Sequence, residues 1–175
     1  MKYFIDTEFM ERPCTIDLIS IGIAADDGRT FYAEVSDCDL AKANPFVAEK
    51  VIPSLQFDRD QAPFITQFTN QCVEVYAPKH SLADFIRQFI GPETPEFWGY
   101  YCDYDWVVFC WLFGAMVDLP KGWPMYCKDL RQLADDLDNP VHNIPDMGYH
   151  NALSDAQWAM KYHDFLMSTI SRGVY

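Results

Sequence analysis

The chain has 175 residues, half of them apolar, and its 13 basic against 26 acidic side chains leave a formal charge of −13. That length suits a single domain with a substantial core, so residues 1–175 are expected to fold as one unit. So acidic a chain excludes broad, nonspecific duplex binding through a basic surface, yet carboxylates that gather divalent ions can still present positive charge to phosphate.

The N-terminal "MKYFIDTEF" lacks the apolar core and small-residue cleavage site of a signal peptide, and no apolar run reaches the length of a membrane span. A cytoplasmic protein with no membrane partner is expected. Cys14, Cys38, Cys72, Cys102, Cys110 and Cys127 are dispersed, with no CxxC and no zinc-like Cys/His spacing, which predicts reduced thiols.

In chain order, Lys2 to Phe9 favours a strand and Thr15 to Asp26 a second, mostly buried one. Asp27 and Gly28 suit a tight turn into a third strand from Thr30 to Val35, so three antiparallel strands open the domain. Between Asp37 and His80 the pattern predicts a short helix from Leu40 to Val51, then loop and short pieces punctuated by Pro53, Pro63 and Pro78. Ser81 as N-cap, apolar Leu82, Phe85, Ile86 and Phe89, and Gly91 as a stop predict a helix. "PEFWGYY" follows as a buried strand and "DYDWVVFCWLFG" as a helix apolar on almost every side. A short strand at Met125 to Cys127, a helix in "KDLRQLADDLD" and a long helix from Asn151 to Ser171 complete the chain. Strands first, then alternating helices and strands, predict an α/β fold: a mixed sheet flanked by helices, with right-handed crossovers between its parallel strands.

Three sets of carboxylates do not fit a purely structural role. Asp6 and Glu8 are two residues apart on the first strand, so they share a face. Like charges that close raise each other's pKa unless a cation, an arginine or a shared proton intervenes. On the last helix Ala152, Ala156, Ala159, His163, Leu166 and Ile170 form the core stripe, and Asp155 lies inside it. An ionised group buried without a partner costs several kcal/mol, so Asp155 needs a metal, a basic partner or a proton; the competing explanation is an acid favoured by the helix dipole. Asp103 and Asp105 both open the apolar helix, and either could cap it; periodicity cannot choose between them.

His150 precedes Asp155 by five residues, roughly 140° round a helix, so it belongs on the loop leading into the helix, after the Gly148 break. A histidine beside a carboxylate suits a general base, because the ordinary imidazole pKa lies near neutrality. A structural histidine at a helix start is the alternative.

Taken together, Asp6-Thr7-Glu8 on the first strand, an aspartate opening a central apolar helix and "HNALSDA" opening the last helix resemble the DEDDh family of 3'-to-5' exonucleases, whose usual wording there is HxALxDA. The resemblance covers nearly the whole chain and implies a ribonuclease H-like fold. "YFIDTEF" followed by "IDLISIGIAADDGRTFYA" is most similar to the small single-domain exoribonucleases of the RNase AS type, which act on adenylate-rich RNA. The resemblance makes Asp6, Glu8, Asp105 and Asp155 the metal-binding acids and His150 the general base. It prefers Asp105 to Asp103 because the family's aspartate follows an aromatic, here Tyr104. Tyr101-Cys102-Asp103-Tyr104-Asp105 stands where many members have Asn-Ala-x-Phe-Asp, so the substrate contacts of that Asn-Ala pair do not carry over.

The implied cofactor is a pair of Mg²⁺ or Mn²⁺ ions, which suits oxygen ligands and the hydrolysis of a phosphodiester. The implied partners are single-stranded RNA 3' ends and a second copy of the chain in a homodimer. Phe9, directly after the acidic pair, is a candidate wedge for the terminal base, with an ordinary core aromatic as the alternative. Two other functions fit the same residues: an exodeoxyribonuclease on single-stranded DNA ends, and a catalytically silent nucleic-acid-binding domain. The absence of a Gly-x-Ser-x-Gly elbow and of a glycine-rich phosphate loop excludes serine-hydrolase and nucleotide-loop functions.

Overall fold

The opening hairpins set the architecture. In the computed structural model, which describes residues 1–60, 66–69, 71–145 and 150–173, β1 (Lys2–Arg12), β2 (Thr15–Ala25) and β3 (Thr30–Val35) pair antiparallel in sequence. β3 then pairs parallel with β5 (Cys72–Ala77), whose outer edge carries the short antiparallel β4 (Thr66–Phe68). On the other side β1 pairs parallel with β6 (Glu96–Gly99), and β6 with β7 (Lys128–Asp129). The result is a seven-stranded mixed sheet of order β4-β5-β3-β2-β1-β6-β7. Among the described residues four α-helices complete it: α1 (Leu82–Ile90), α2 (Asp103–Phe113), α3 (Leu130–Asp136) and α4 (Ala152–Arg172). This is the ribonuclease H-like arrangement expected from the resemblance.

Alternation along β1 divides the core between the two faces of the sheet. Tyr3 and Ile5 are buried with Leu82 and Ile86 of α1 and Val108 and Phe109 of α2. Phe4 turns to the opposite face and packs with Ala156, Ala159 and Leu166 of α4. A third cluster joins Met10 and Ile19 to Val47 and Val51.

Three expectations needed adjustment. The helix foreseen from Leu40 to Val51 is two short turns, Leu40–Lys42 and Val47–Val51, because Pro45 disfavours helix at Asn44 and breaks the run. The segment Asp37 to His80 also contains a full strand, β5, where loop was expected. The last strand lies at Lys128–Asp129 rather than Met125 to Cys127. Pro63 and Gly148 fall outside the described residues. All six cysteines are free thiols, as foreseen.

Candidate active site

The face of β1 that carries Phe4 continues through Asp6 and Glu8, so both acids look toward α4. Gly22 pairs directly with Asp6 across β1 and β2. A Cβ on Gly22 would lie 2.3 Å from the backbone of Ala152 and Leu153, so the first turn of α4 rests on bare strand backbone there. The buried Ala152, Ala156 and Ala159 extend that close approach. Asn151 fixes where the helix begins: its side-chain oxygen accepts the Ser154 N–H at 3.1 Å and its carbonyl accepts the Asp155 N–H at 3.0 Å. Asp155 is thereby delivered to the β1 acids. Carboxylate oxygens of Asp6, Glu8 and Asp155 all lie within 4.8 Å of one another.

Asp105 is not one of that group of three, but its charge acts on Asp6 and Glu8 from the α2 side. It sits in the first turn of α2, and its Oδ1 accepts the Thr7 backbone N–H at 2.8 Å and the Thr7 hydroxyl at 2.5 Å. Thr7 lies between the two β1 acids in sequence and points to the opposite face. Asp105 is buried and Asp103 exposed, so the structure separates two aspartates that helical periodicity left equivalent.

The electrostatics of this group are unfavourable without a cation. Burial, reinforced by the charges of Asp105, Asp155 and Glu8, holds the Asp6 carboxyl well above the ordinary carboxylate range. Burial and then the Asp155 and Asp105 charges push Glu8 up to about 8. Asp105 is raised by burial to about 6, although its bonds from Thr7 pull the other way. Among the described residues no lysine or arginine forms an ion pair with Asp6 or Glu8. Clustered hard oxygens on Asp6, Glu8 and Asp155 form the donor set expected of a divalent-cation site, and in that respect the residues fit one.

His150 is outside α4, one residue before its N-cap, as the five-residue spacing required. It lines a cleft of about 420 Å³ together with Asp6, Asp155, Tyr100, His142, Ile144 and Trp158. The imidazole meets Phe46 edge-on at 4.9 Å between ring centroids. Tyr100 and Trp158 meet edge to face at 5.0 Å, giving the cleft an aromatic wall beside the acids.

Comparison with known proteins bears on this geometry. Residues 1–167 match the family model described as the 3'-5' exoribonuclease Rv2179c-like domain. The chain belongs to that family. It is similar to the 3'-5' exoribonuclease Rv2179c of Mycobacterium tuberculosis strain H37Rv and to the 3'-5' exoribonuclease MT2234.1 of strain CDC 1551. Each is 34% identical over 173 residues, which covers 99% of this chain and 97% of the relative. The Rv2179c-like match takes in every element from β1 into α4, and with them all five polar residues singled out from sequence.

Phe9 is half-buried, follows Thr7 toward α2 and meets Tyr104 edge to face at 6.0 Å; like Glu8 and Asp105, it is not among the residues that line the cleft. Thr7 and Gly22 also shape the site, and their roles depend on partners far away in the chain. A hydroxyl between two acids was the one local signal, at Thr7. Among the described residues no helix is long and apolar enough to cross a membrane.

Proposed function

We propose that this chain is a metal-dependent 3'-to-5' exoribonuclease acting on single-stranded RNA ends, with adenylate-rich RNA as the favoured substrate. One observation carries the reading: three carboxylates from β1 and α4 converge within 4.8 Å, and two of them, Asp6 and Asp155, line a cleft with His150, in a member of the Rv2179c-like exoribonuclease family. The adenylate preference rests on the sequence resemblance.

Asp6, Glu8 and Asp155 are the residues to hold one Mg²⁺ or Mn²⁺ ion, and Asp105 with Asp6 those to support a second. Bound there, such ions supply Lewis-acid activation of water and neutralise the charge that builds on the phosphate. Thr7 keeps Asp105 in place through two hydrogen bonds, one of them from a backbone amide. His150 takes a proton from the attacking water as its oxygen adds to phosphorus and the bond to the leaving alkoxide breaks. The aromatic wall of Tyr100 and Trp158 suits unpaired bases, which present faces for stacking that a duplex hides. A homodimer agrees with the exposed Tyr104, Val107 and Trp111, spaced to share one face of α2.

The test is incubation with end-labelled single-stranded RNA, an adenylate tract and DNA of equal sequence, with Mg²⁺, Mn²⁺ or chelator. Stepwise shortening of RNA from the 3' end, fastest on adenylate and lost in Asp6→Ala, is expected. Equal cleavage of DNA would remove the ribose preference, and no cleavage with either metal would favour a silent nucleic-acid-binding domain.

A further inference from the structure

Glu34 of β3 has no solvent exposure and lies outside the acid cluster. Register places it in one row with two residues already met: Glu8 pairs with Ser20, and Ser20 pairs with Glu34. Residues paired across a ladder share a face, so Glu34 looks to the α4 side of the sheet. Its Oε1 accepts the Tyr32 hydroxyl at 2.8 Å and the backbone N–H groups of Gln56 and Phe57 at 2.5 and 3.3 Å. Burial raises its pKa, and those bonds draw it back. A buried carboxylate that takes two successive amides of an irregular segment fixes where that segment runs.

Ser54 stands two residues before Gln56 in the segment so fixed. Its hydroxyl lies 2.8 Å from the Val51 carbonyl oxygen and 2.7 Å from that of His150, so one proton is shared between two acceptors. A second link returns: the Asn151 side-chain amide donates to the Ser54 carbonyl at 3.3 Å. Both contacts fall just C-terminal to the His150 Cα, and His150 itself has a φ of +42°. A residue with a Cβ holds that left-handed conformation only where its surroundings over-determine it. Ser54 and Asn151 supply that constraint on either side of the His150–Asn151 peptide.

We propose that Ser54 is a positioning residue for His150, with Glu34 as the buried anchor that holds Ser54's segment. The proposal rests on His150 being the general base. Ser54→Ala removes the hydroxyl with little change in volume. It lowers kcat on end-labelled RNA about ten-fold, while KM and Mn²⁺ affinity stay within about two-fold of the parent, because misplacing a reacting group costs rate before it costs binding. Ser54→Thr keeps a hydroxyl and restores most of the rate.

The same substitution in a His150→Ala background costs nothing further, since the group that Ser54 aims is gone. A merely structural serine would give additive losses and shift Mn²⁺ affinity as well, and either result overturns the proposal. Unchanged kcat in Ser54→Ala beside a crippled His150→Ala also overturns it and leaves the base assignment intact. Full activity in His150→Ala overturns the base assignment and this proposal with it.

Discussion

Gly22 and Ala152 touch backbone to backbone at the point where β2 carries α4, directly beside the strand position of Asp6. The spacing between the two carboxylate-bearing elements is therefore set by the lack of a side chain. Gly22→Ala puts a methyl group 2.3 Å from the Ala152 carbonyl, and backbone on both sides cannot swing away as a flexible side chain could. The helix must lift, taking Asp155 from Asp6 and Glu8. We expect a stability loss of about 1–3 kcal/mol by urea denaturation and a larger proportional loss of Mn²⁺ affinity. Parental metal binding in a folded Gly22→Ala protein would show that α4 is not held by this contact.

The acid cluster makes stability depend on pH, with a sign opposite to that of an ordinary salt-bridged carboxylate. Glu8 is raised from 4.5 to about 8 and Asp105 from 3.8 to about 6. The folded chain therefore keeps protons that the unfolded chain has already released, and stability falls as pH climbs from the ordinary carboxylate range toward 8. Without metal, Tm is expected to drop by at least about 5 °C between pH 5 and pH 8.5. Added Mn²⁺ raises Tm most at the upper end. Glu8→Gln flattens the metal-free profile and leaves the chain more stable than the parent at pH 8.5, though inactive. A pH-independent metal-free Tm in the parent would contradict the crowding of these groups.

Thr7 and the two aspartates of α2 permit a sharper comparison. Thr7→Val deletes the hydroxyl that donates to Asp105 at 2.5 Å but keeps the backbone N–H bond. The Asp105 pKa rises further, because one of the bonds that lowers it is gone. Activity near neutral pH is expected to fall about ten-fold and to recover partly as pH is raised. Asp105→Asn should abolish turnover, whereas Asp103→Asn, at an exposed position, should stay within about two-fold of the parent. Similar losses from the two aspartate substitutions would undo the assignment of Asp105.

What sequence made legible follows from the range of the forces involved. The pairing of Asp6 with Glu8 depends only on strand alternation, and Asp155 was conspicuous because helical periodicity put a charge in an alanine stripe. His150 was excluded from the helix by arithmetic on five residues. Asp105 could not be separated from Asp103 by periodicity, because α2 is apolar on nearly every side. The deciding partner is Thr7, 98 residues away. β5 is not legible locally because it lies among prolines and gains its pairing from β3, a contact no local pattern encodes. Ser54 is likewise invisible in isolation, since its partner lies 96 residues downstream.

The outer face of α2 gives the last prediction. Tyr104, Val107 and Trp111 follow one another at helical spacing and remain 47%, 36% and 45% exposed, while Trp106 and Phe109 on the opposite side are buried. A helix apolar all round is ordinarily covered on both sides. If a second copy of the chain covers this one, Trp111→Lys places a charge in the interface and removes its largest apolar side chain. Sedimentation at micromolar concentration should then show a dimer for the parent and a monomer for the variant, with the Tm at pH 6 lowered in a concentration-dependent way only for the parent on dilution. Asp105 projects from the buried side of α2, so a monomeric variant that retains Mn²⁺ affinity but loses turnover would mean that dimerisation serves the substrate path. A monomeric parent would leave this face to another partner and remove the homodimer from the proposed function.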